Sequence, residues 1–147
     1  MVRIENDEFR QRVSSFLKKQ NFMHHINFEL NVIEEGYTEG ILNISDIHLQ
    51  QFGRVHGGVI TTLADITAGF AAYTKVNKES HVVTGEIKVS FFSAAHGPVL
   101  KAIGKVLKAG RKVIFCESEI YDVIEGKPLK LVAKASTSMI VIPENQT

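Results

Sequence analysis

The stretch RVHGGVITTLADITAGFAAY, from Arg54 to Tyr73, decides how the rest of this sequence is organised. Between Gly57 and Thr74 it carries one charged side chain, Asp65. Residues 56–75 are long enough for a helix of about five turns, and they are apolar on nearly every face. That pattern is typical of a helix that is buried rather than lying on a surface. We therefore predict a central helix enclosed by the rest of the chain.

The flanking sequence predicts the strands that enclose this helix. Residues 26–44 alternate apolar and polar side chains around a Glu-Gly turn, which favours a two-stranded hairpin. After residue 80 a period of two continues through four segments, and the stretches AAHGP, KAGR and IEGKP between them are expected to form hairpins or tight connections. Val83, Ile87, Val89 and Phe91 are expected to share one face of the first segment, and the four strands to form a meander. The predicted fold class is α+β, an antiparallel sheet wrapped around one long helix.

The length of 147 residues predicts a single domain, residues 1–147. Within residues 1–24, Phe9, Val13 and Phe16 recur at the spacing of an amphipathic helix over residues 5–20. We expect this helix to cover an apolar part of the core. The core itself is assigned to residues 25–142.

The charge balance, the apolar segments and the cysteine count predict which partners and which compartment the protein has. The 17 basic and 16 acidic residues nearly cancel, so we expect no nucleic-acid partner. No segment approaches the roughly 20 apolar residues of a membrane span, and the first residues lack a signal-peptide pattern. Cys116 is the single cysteine, which fits a reducing compartment. The expectation is a cytoplasmic protein that has no membrane partner.

The histidines do not predict a metal centre. His24 and His25 are adjacent and so point in different directions. No pair of histidines is spaced as metal ligands usually are, with a carboxylate nearby. We therefore expect no metal site.

Asp65 is the most unusual residue of the central helix. An ionised carboxylate among apolar neighbours costs several kcal/mol unless it is paired or used. One use is as a general base or nucleophile. The alternative is that its oxygens accept hydrogen bonds from Thr61, Thr62 or a strand amide and hold the helix in place. The residues alone leave both interpretations open.

Gly57 and Gly58 open the same helix. The first turn of a helix has unpaired N–H groups and a positive dipole end, and glycine lets an oxygen approach them. The pair could therefore bind an oxyanion, or simply permit a tight junction between loop and helix. Gly57 lies eight residues from Asp65, about 12 Å along the helix axis. If both serve one site, a second copy of the chain must supply one of them, which predicts a homodimer.

The motif HLQQFGRVHGGVITTLAD resembles the signature of the PaaI-type acyl-CoA thioesterases of the hotdog superfamily. The resemblance extends over about residues 28–142. It implies a hotdog fold and hydrolysis of an acyl-CoA to a free acid and CoA, with no cofactor other than the CoA of the substrate. It also implies that Asp65 activates water or attacks the thioester while the Gly57 N–H polarises the carbonyl. By resemblance the site lies at a dimer interface, and two dimers form a homotetramer.

Three further residues are catalytic candidates, Gln50 and Thr84 through the resemblance and His56 through its place at the start of the helix. Gln50 stands where many relatives have Asn and could orient the attacking water, whereas His56 could donate a hydrogen bond to the thioester. Thr84 matches a position where relatives often carry Ser or Thr near that water. Each also has a simpler interpretation: a polar loop residue, a local backbone partner, and a β-branched strand residue.

A second set of residues is assigned to substrate binding. Gly58 belongs to this set through its place in the first turn of the helix, whereas Ala68, Gly69 and Ala72 are expected to leave space along the helix. Lys108, Arg111 and Lys112 flank the KAGRK turn and could bind the phosphates of CoA, although basic turns often serve solubility alone.

Three other functions remain as alternatives. The substrate could be an acyl carrier protein thioester in place of an acyl-CoA. A hotdog dehydratase or hydratase is disfavoured, since such enzymes usually place a catalytic histidine ahead of the acid on a differently spaced motif. A non-catalytic acyl-CoA binding protein is disfavoured because the residues before the first strand leave no room for a regulatory domain.

Overall fold

The computed structural model describes residues 7–146 of the chain. Its helices are α1 (Asp7–Lys18), α2 (Asn21–His25) and α3 (Gly57–Tyr73). Its strands are β1 (Phe28–Glu34), β2 (Tyr37–Asn43), β3 (Ser80–Phe91), β4 (Val99–Ala109), β5 (Val113–Val123) and β6 (Lys130–Pro143). Short 3₁₀ turns span Asp46–His48 and Glu144–Gln146. The start of the predicted N-terminal helix, at residues 5 and 6, lies outside the described residues.

The six strands form one antiparallel sheet in the order β1-β2-β4-β5-β6-β3. The prediction of a four-stranded meander was wrong for β3, which pairs with β6 at the sheet edge. The connection between β3 and β4 contains AAHGP and was interpreted as tight. It spans residues 92–98, longer than the usual hairpin loop, and this length lets the chain cross from one edge of the sheet toward the other.

The central helix α3 packs against all six strands of the sheet, as the hotdog fold class predicted. Leu63, Ala64 and Ala68 on the helix are fully buried. At Gly104 an added Cβ would lie 2.3 Å from the backbone of Thr67, so only glycine permits this close approach. The short distance between helix and strand explains why small residues recur on both surfaces.

A β-bulge interrupts β3 beside the helix. Thr84 is paired with Met139, but the register shifts before Glu86 is paired with Ser138. Thr84 and Ile87 therefore both face α3, whereas Val83 is exposed on the opposite face. The prediction that Val83 and Ile87 share a face was wrong because the extra residue at the bulge reverses the alternation.

Candidate active site

Asp65 and Thr84 form a direct contact between α3 and β3. The Thr84 hydroxyl donates a 2.6 Å hydrogen bond to Oδ1 of Asp65. Oδ2 of Asp65 accepts no hydrogen bond from any of residues 7–146. Thr61, which could have paired with the carboxylate, instead donates to the Gly57 carbonyl at 2.9 Å. The helix is thus tied to the strand through one carboxylate oxygen, and the other remains available for chemistry.

A cavity of about 610 Å³ lies beside this pair. Its lining brings together three of the predicted site residues, Asp65, Thr84 and Gly69. The rest of the lining comes from α1, the second half of α3 and the start of β3, together with Gln20, Lys78, Met139 and Glu144. The carboxylate therefore borders a space large enough for a substrate group.

His56 and the two glycines form the start of α3. His56 is the N-cap, and its Nδ1 accepts a 2.8 Å hydrogen bond from the Gly58 N–H. In the neutral ring Nε2 then carries the proton and can donate. Within residues 7–146 the Gly57 N–H has no hydrogen-bond acceptor, while the ring of Phe91 lies 3.5 Å from where a Gly57 Cβ would be. The Gly58 N–H is therefore already bonded, whereas the Gly57 N–H can still donate to an oxyanion.

Gln50 lies in the loop before α3, and its side chain is used locally. Its Oε1 accepts a 2.6 Å hydrogen bond from the Phe52 N–H. Its backbone N–H donates to the Arg54 carbonyl at 2.8 Å, which closes the loop. In this arrangement the Gln50 amide supports its own loop and does not line the cavity.

His48 is a supporting residue that the sequence analysis missed. Its buried ring bonds the Ile26 carbonyl at 2.7 Å and accepts from the Ser45 N–H at 2.9 Å. Its own carbonyl accepts from the His56 N–H at 2.8 Å. His48 therefore fixes the start of α3 relative to the first strand. The available signal was its position three residues after Ser45, the spacing of a capping box.

The predicted catalytic residues fall into two groups along α3. Asp65 and Thr84 line the cavity, but Gly57, His56 and Gln50 do not, and neither does Gly58. Since α3 is continuous, Gly57 and Asp65 lie about 12 Å apart along its axis. A single protomer does not bring the carboxylate to the free amide.

The basic residues of the β4–β5 hairpin form a third group. Lys108, Arg111 and Lys112 are exposed, do not line the cavity, and make no ion pair with another described residue. Ile114 pairs with Met139, which pairs with Thr84, so the hairpin starts two strands from the candidate site. Two strand spacings are about 10 Å. The three basic side chains are therefore about two strands away from Asp65 and Thr84 rather than beside them.

Two other features are absent from residues 7–146. No group of three or more His, Cys, Asp or Glu residues in this range is placed to hold a metal ion. None of the helices there is long and apolar enough to cross a membrane. Burial raises the pKa of Cys116 to about 11, so its thiol is a poor nucleophile near neutral pH.

Known proteins resemble this chain in sequence and in fold. The sequence model described as thioesterase superfamily matches residues 52–128. A Saccharolobus solfataricus protein named "Putative esterase" is 32% identical over 127 residues, 86% of this chain and 87% of that protein.

Two solved structures show the same fold. A thioesterase family protein from Silicibacter pomeroyi superposes with a TM-score of 0.89 at 24% identity, covering 92% of this chain and 98% of that one. The Escherichia coli PaaI protein of the phenylacetic acid degradation operon gives 0.80 at 17% identity, covering 90% and 91%.

Proposed function

We propose that this chain, which belongs to the thioesterase superfamily, is a hydrolase that cleaves acyl-CoA thioesters to a free acid and CoA. The observation that carries the proposal is the Asp65 carboxylate, with one oxygen held by Thr84 and the other beside a cavity of about 610 Å³. A carboxylate held in this way can accept a proton from a water molecule bound in the cavity.

The proposed reaction needs a base, a water molecule and an oxyanion donor. Oδ2 of Asp65 takes a proton from water as the water oxygen bonds to the thioester carbon. The carbonyl oxygen becomes an oxyanion, which accepts a hydrogen bond from a Gly57 N–H at the positive end of α3. The C–S bond then breaks and the departing thiolate takes the proton. Direct attack by Asp65 is the variant in which water hydrolyses an acyl-enzyme anhydride.

The proposed catalytic unit is a homodimer, because the base and the donor lie far apart in one protomer. Strand β3 supports this proposal. It is a sheet edge with exposed apolar side chains, a surface suited to pairing. Its Thr84 contacts Asp65, whereas its Phe91 lies beside Gly57. Antiparallel pairing of β3 with its copy, centred between these residues, would place Thr84 opposite the Phe91 end of the other strand.

This pairing would bring each Asp65 toward the Gly57 amide of the other protomer. Assembly of two dimers into a homotetramer is also proposed, on the resemblance alone. We further propose that the enzyme acts in the cytoplasm, that its CoA enters only as part of the substrate, and that Lys108, Arg111 and Lys112 bind the nucleotide phosphates.

The function is tested by following thiol release from a panel of acyl-CoAs. Because Cys116 is buried, a thiol reagent added to the folded protein reports the CoA product. We expect release from several acyl-CoAs, and its loss in Asp65→Asn. Parallel assays test the alternative reactions, with acyl carrier protein thioesters as the substrates for hydrolysis and enoyl-CoA as the substrate for hydration. Hydration without thiol release, or binding without turnover, would contradict the proposal.

A further inference from the structure

The cavity continues along α3 well beyond the candidate site. Gly69 and Tyr73 follow Asp65 at one and two turns, and all three line the cavity. These positions lie about 6 and 12 Å from Asp65 along the helix axis. A chain attached to a carbonyl at Asp65 would therefore run over Gly69 toward Tyr73.

Helix α1 lies at the far end of this path. The ring of Phe16 meets the ring of Tyr73 edge to face, with centroids 5.0 Å apart, and Phe70 meets Tyr73 at 6.5 Å in the same manner. All three rings line the cavity. Lys78, His81 and Glu144 also line the cavity and are polar or charged, so an apolar group would be buried against the three rings rather than against these side chains.

Arg12 fixes α1 in this place. Its guanidinium donates hydrogen bonds to the Tyr73 carbonyl at 3.1 Å and the Val76 carbonyl at 2.8 Å. It also lies 4.6 Å from the centroid of the Tyr73 ring, a cation–π distance. A cation at the C-terminal end of α3 is favoured by the helix dipole. With Val13 fully buried, α1 is attached to the core rather than loosely laid on it.

Gly69 keeps the path open between the two ends. A Cβ at this position would meet only Met139 Cε, at 4.0 Å. Glycine in a helix interior costs about 1 kcal/mol relative to alanine, yet no neighbouring atom requires it here. A side chain at Gly69 would instead project into the cavity.

We propose that α1 is the end wall of the acyl site, with Phe16 as the contact that limits acyl length and Gly69 as the position that leaves the path open. The substrate class is then an apolar acyl group of medium length, whose end lies against Phe16 and Tyr73. This inference rests on the proposed thioesterase function, since that function places the carbonyl at Asp65.

The test compares kcat/KM for acetyl-, hexanoyl-, decanoyl- and palmitoyl-CoA in three variants. Phe16→Ala should shift preference to longer chains by about tenfold, the range that hydrophobic pockets give for small changes in shape. Gly69→Leu should shift preference to shorter chains. Phe22→Ala is the matched control, because Phe22 is an exposed aromatic residue on α2 outside the cavity. It should leave the chain-length profile unchanged.

If Phe16→Ala lowers kcat/KM for all four acyl-CoAs by the same factor, Phe16 has only a structural role and the end-wall proposal is overturned. Phe16→Leu, which retains more of the packing, checks the result if the alanine variant is unstable. If the wild type hydrolyses no thioester, the proposed function fails. The end wall is then tested by measuring the affinities of free fatty acids of different length by calorimetry. If wild type and Phe16→Ala prefer the same length, the end-wall proposal is overturned.

Discussion

Two aspartates interrupt apolar surroundings in this molecule, Asp65 on α3 and Asp122 on β5, and their oxygens are used differently. Asp122 is 2% exposed, and its two oxygens accept hydrogen bonds from the Gly97 N–H at 2.8 Å and the His96 N–H at 2.9 Å. Asp65 is half-buried and has one oxygen bonded by Thr84. A carboxylate with every oxygen bonded holds a loop, whereas one with an oxygen facing a cavity can accept a proton.

The largest expected effect comes from Asp65→Asn. An amide keeps the shape of the side chain and can still accept from Thr84, but it cannot act as a base. We expect kcat to fall by about a hundredfold or more, on the order of 3 kcal/mol, with the unfolding midpoint nearly unchanged. Steady-state thiol release and urea unfolding measure the two quantities. Near-normal turnover in the folded variant would return Asp65 to a structural role.

The same substitution at Asp122 is expected to lower stability instead of kcat. Asp122→Asn turns one acceptor toward a backbone N–H into an N–H donor, and it removes the charge from two hydrogen bonds. We expect a loss of about 2 kcal/mol in the free energy of unfolding, with kcat per folded molecule retained. Urea unfolding at fixed protein concentration measures the loss. A fall in kcat without a fall in stability would erase the distinction between the two aspartates.

A smaller effect is expected at Thr84, which orients Asp65. Thr84→Val removes the hydroxyl at nearly constant shape, so we expect kcat to fall by about tenfold, or about 1.4 kcal/mol. Thr84→Ser restores the donor and should recover most of the rate. Equal rates in the valine and serine variants would show that the 2.6 Å hydrogen bond has no part in turnover.

The smallest effect is expected at Cys116, which shares β5 with Asp122. Burial raises the pKa of this thiol to about 11, so its thiolate fraction is very small near neutral pH. We expect Cys116 to react with a thiol reagent only after denaturation, and Cys116→Ala to retain wild-type turnover. Rapid labelling of the folded protein would contradict the burial of this residue.

The sequence predicted those parts of the fold that depend on local pattern. The central helix, the β1–β2 hairpin and the isolation of Asp65 follow from side-chain periodicity within short windows. The position of β3 at the sheet edge does not, because strand order depends on contacts between distant segments. The bulge beside Thr84 was also missed, since a single inserted residue reverses the alternation on which the prediction relied.

In the candidate site, too, local features could be predicted and contacts between distant segments could not. Asp65 stood out by its charge alone, but its hydrogen bond to Thr84 was not predicted, since the resemblance placed Thr84 only near the attacking water. His48 gave only the weak signal of its capping-box spacing after Ser45. The Phe16–Tyr73 contact gave none, because aromatic residues at helical spacing are ordinary features of a sequence. Their roles depend on which elements the fold brings together.

In the proposed active site, the Asp65 of one protomer works with the Gly57 amide of the other. Gly57→Pro deletes that N–H, and two features of the backbone favour proline at this position. Gly57 is the first residue of α3, where proline is favoured. His56 has the extended conformation, φ −64° and ψ 135°, that a residue before proline requires. Gly57→Ala keeps the N–H, and its Cβ would lie 3.5 Å from Phe91, an ordinary contact. It is therefore the control and should remain active.

The most direct measurement mixes the two inactive variants, Asp65→Asn and Gly57→Pro, and refolds them together. Each heterodimer then has one site with both defects and one with neither. With random mixing half of the dimers are heterodimers, so thiol release should reach about a quarter of the wild-type rate. Mass spectrometry of the intact dimers verifies their formation. A mixture with verified heterodimers that stays as inactive as either parent would contradict the shared site.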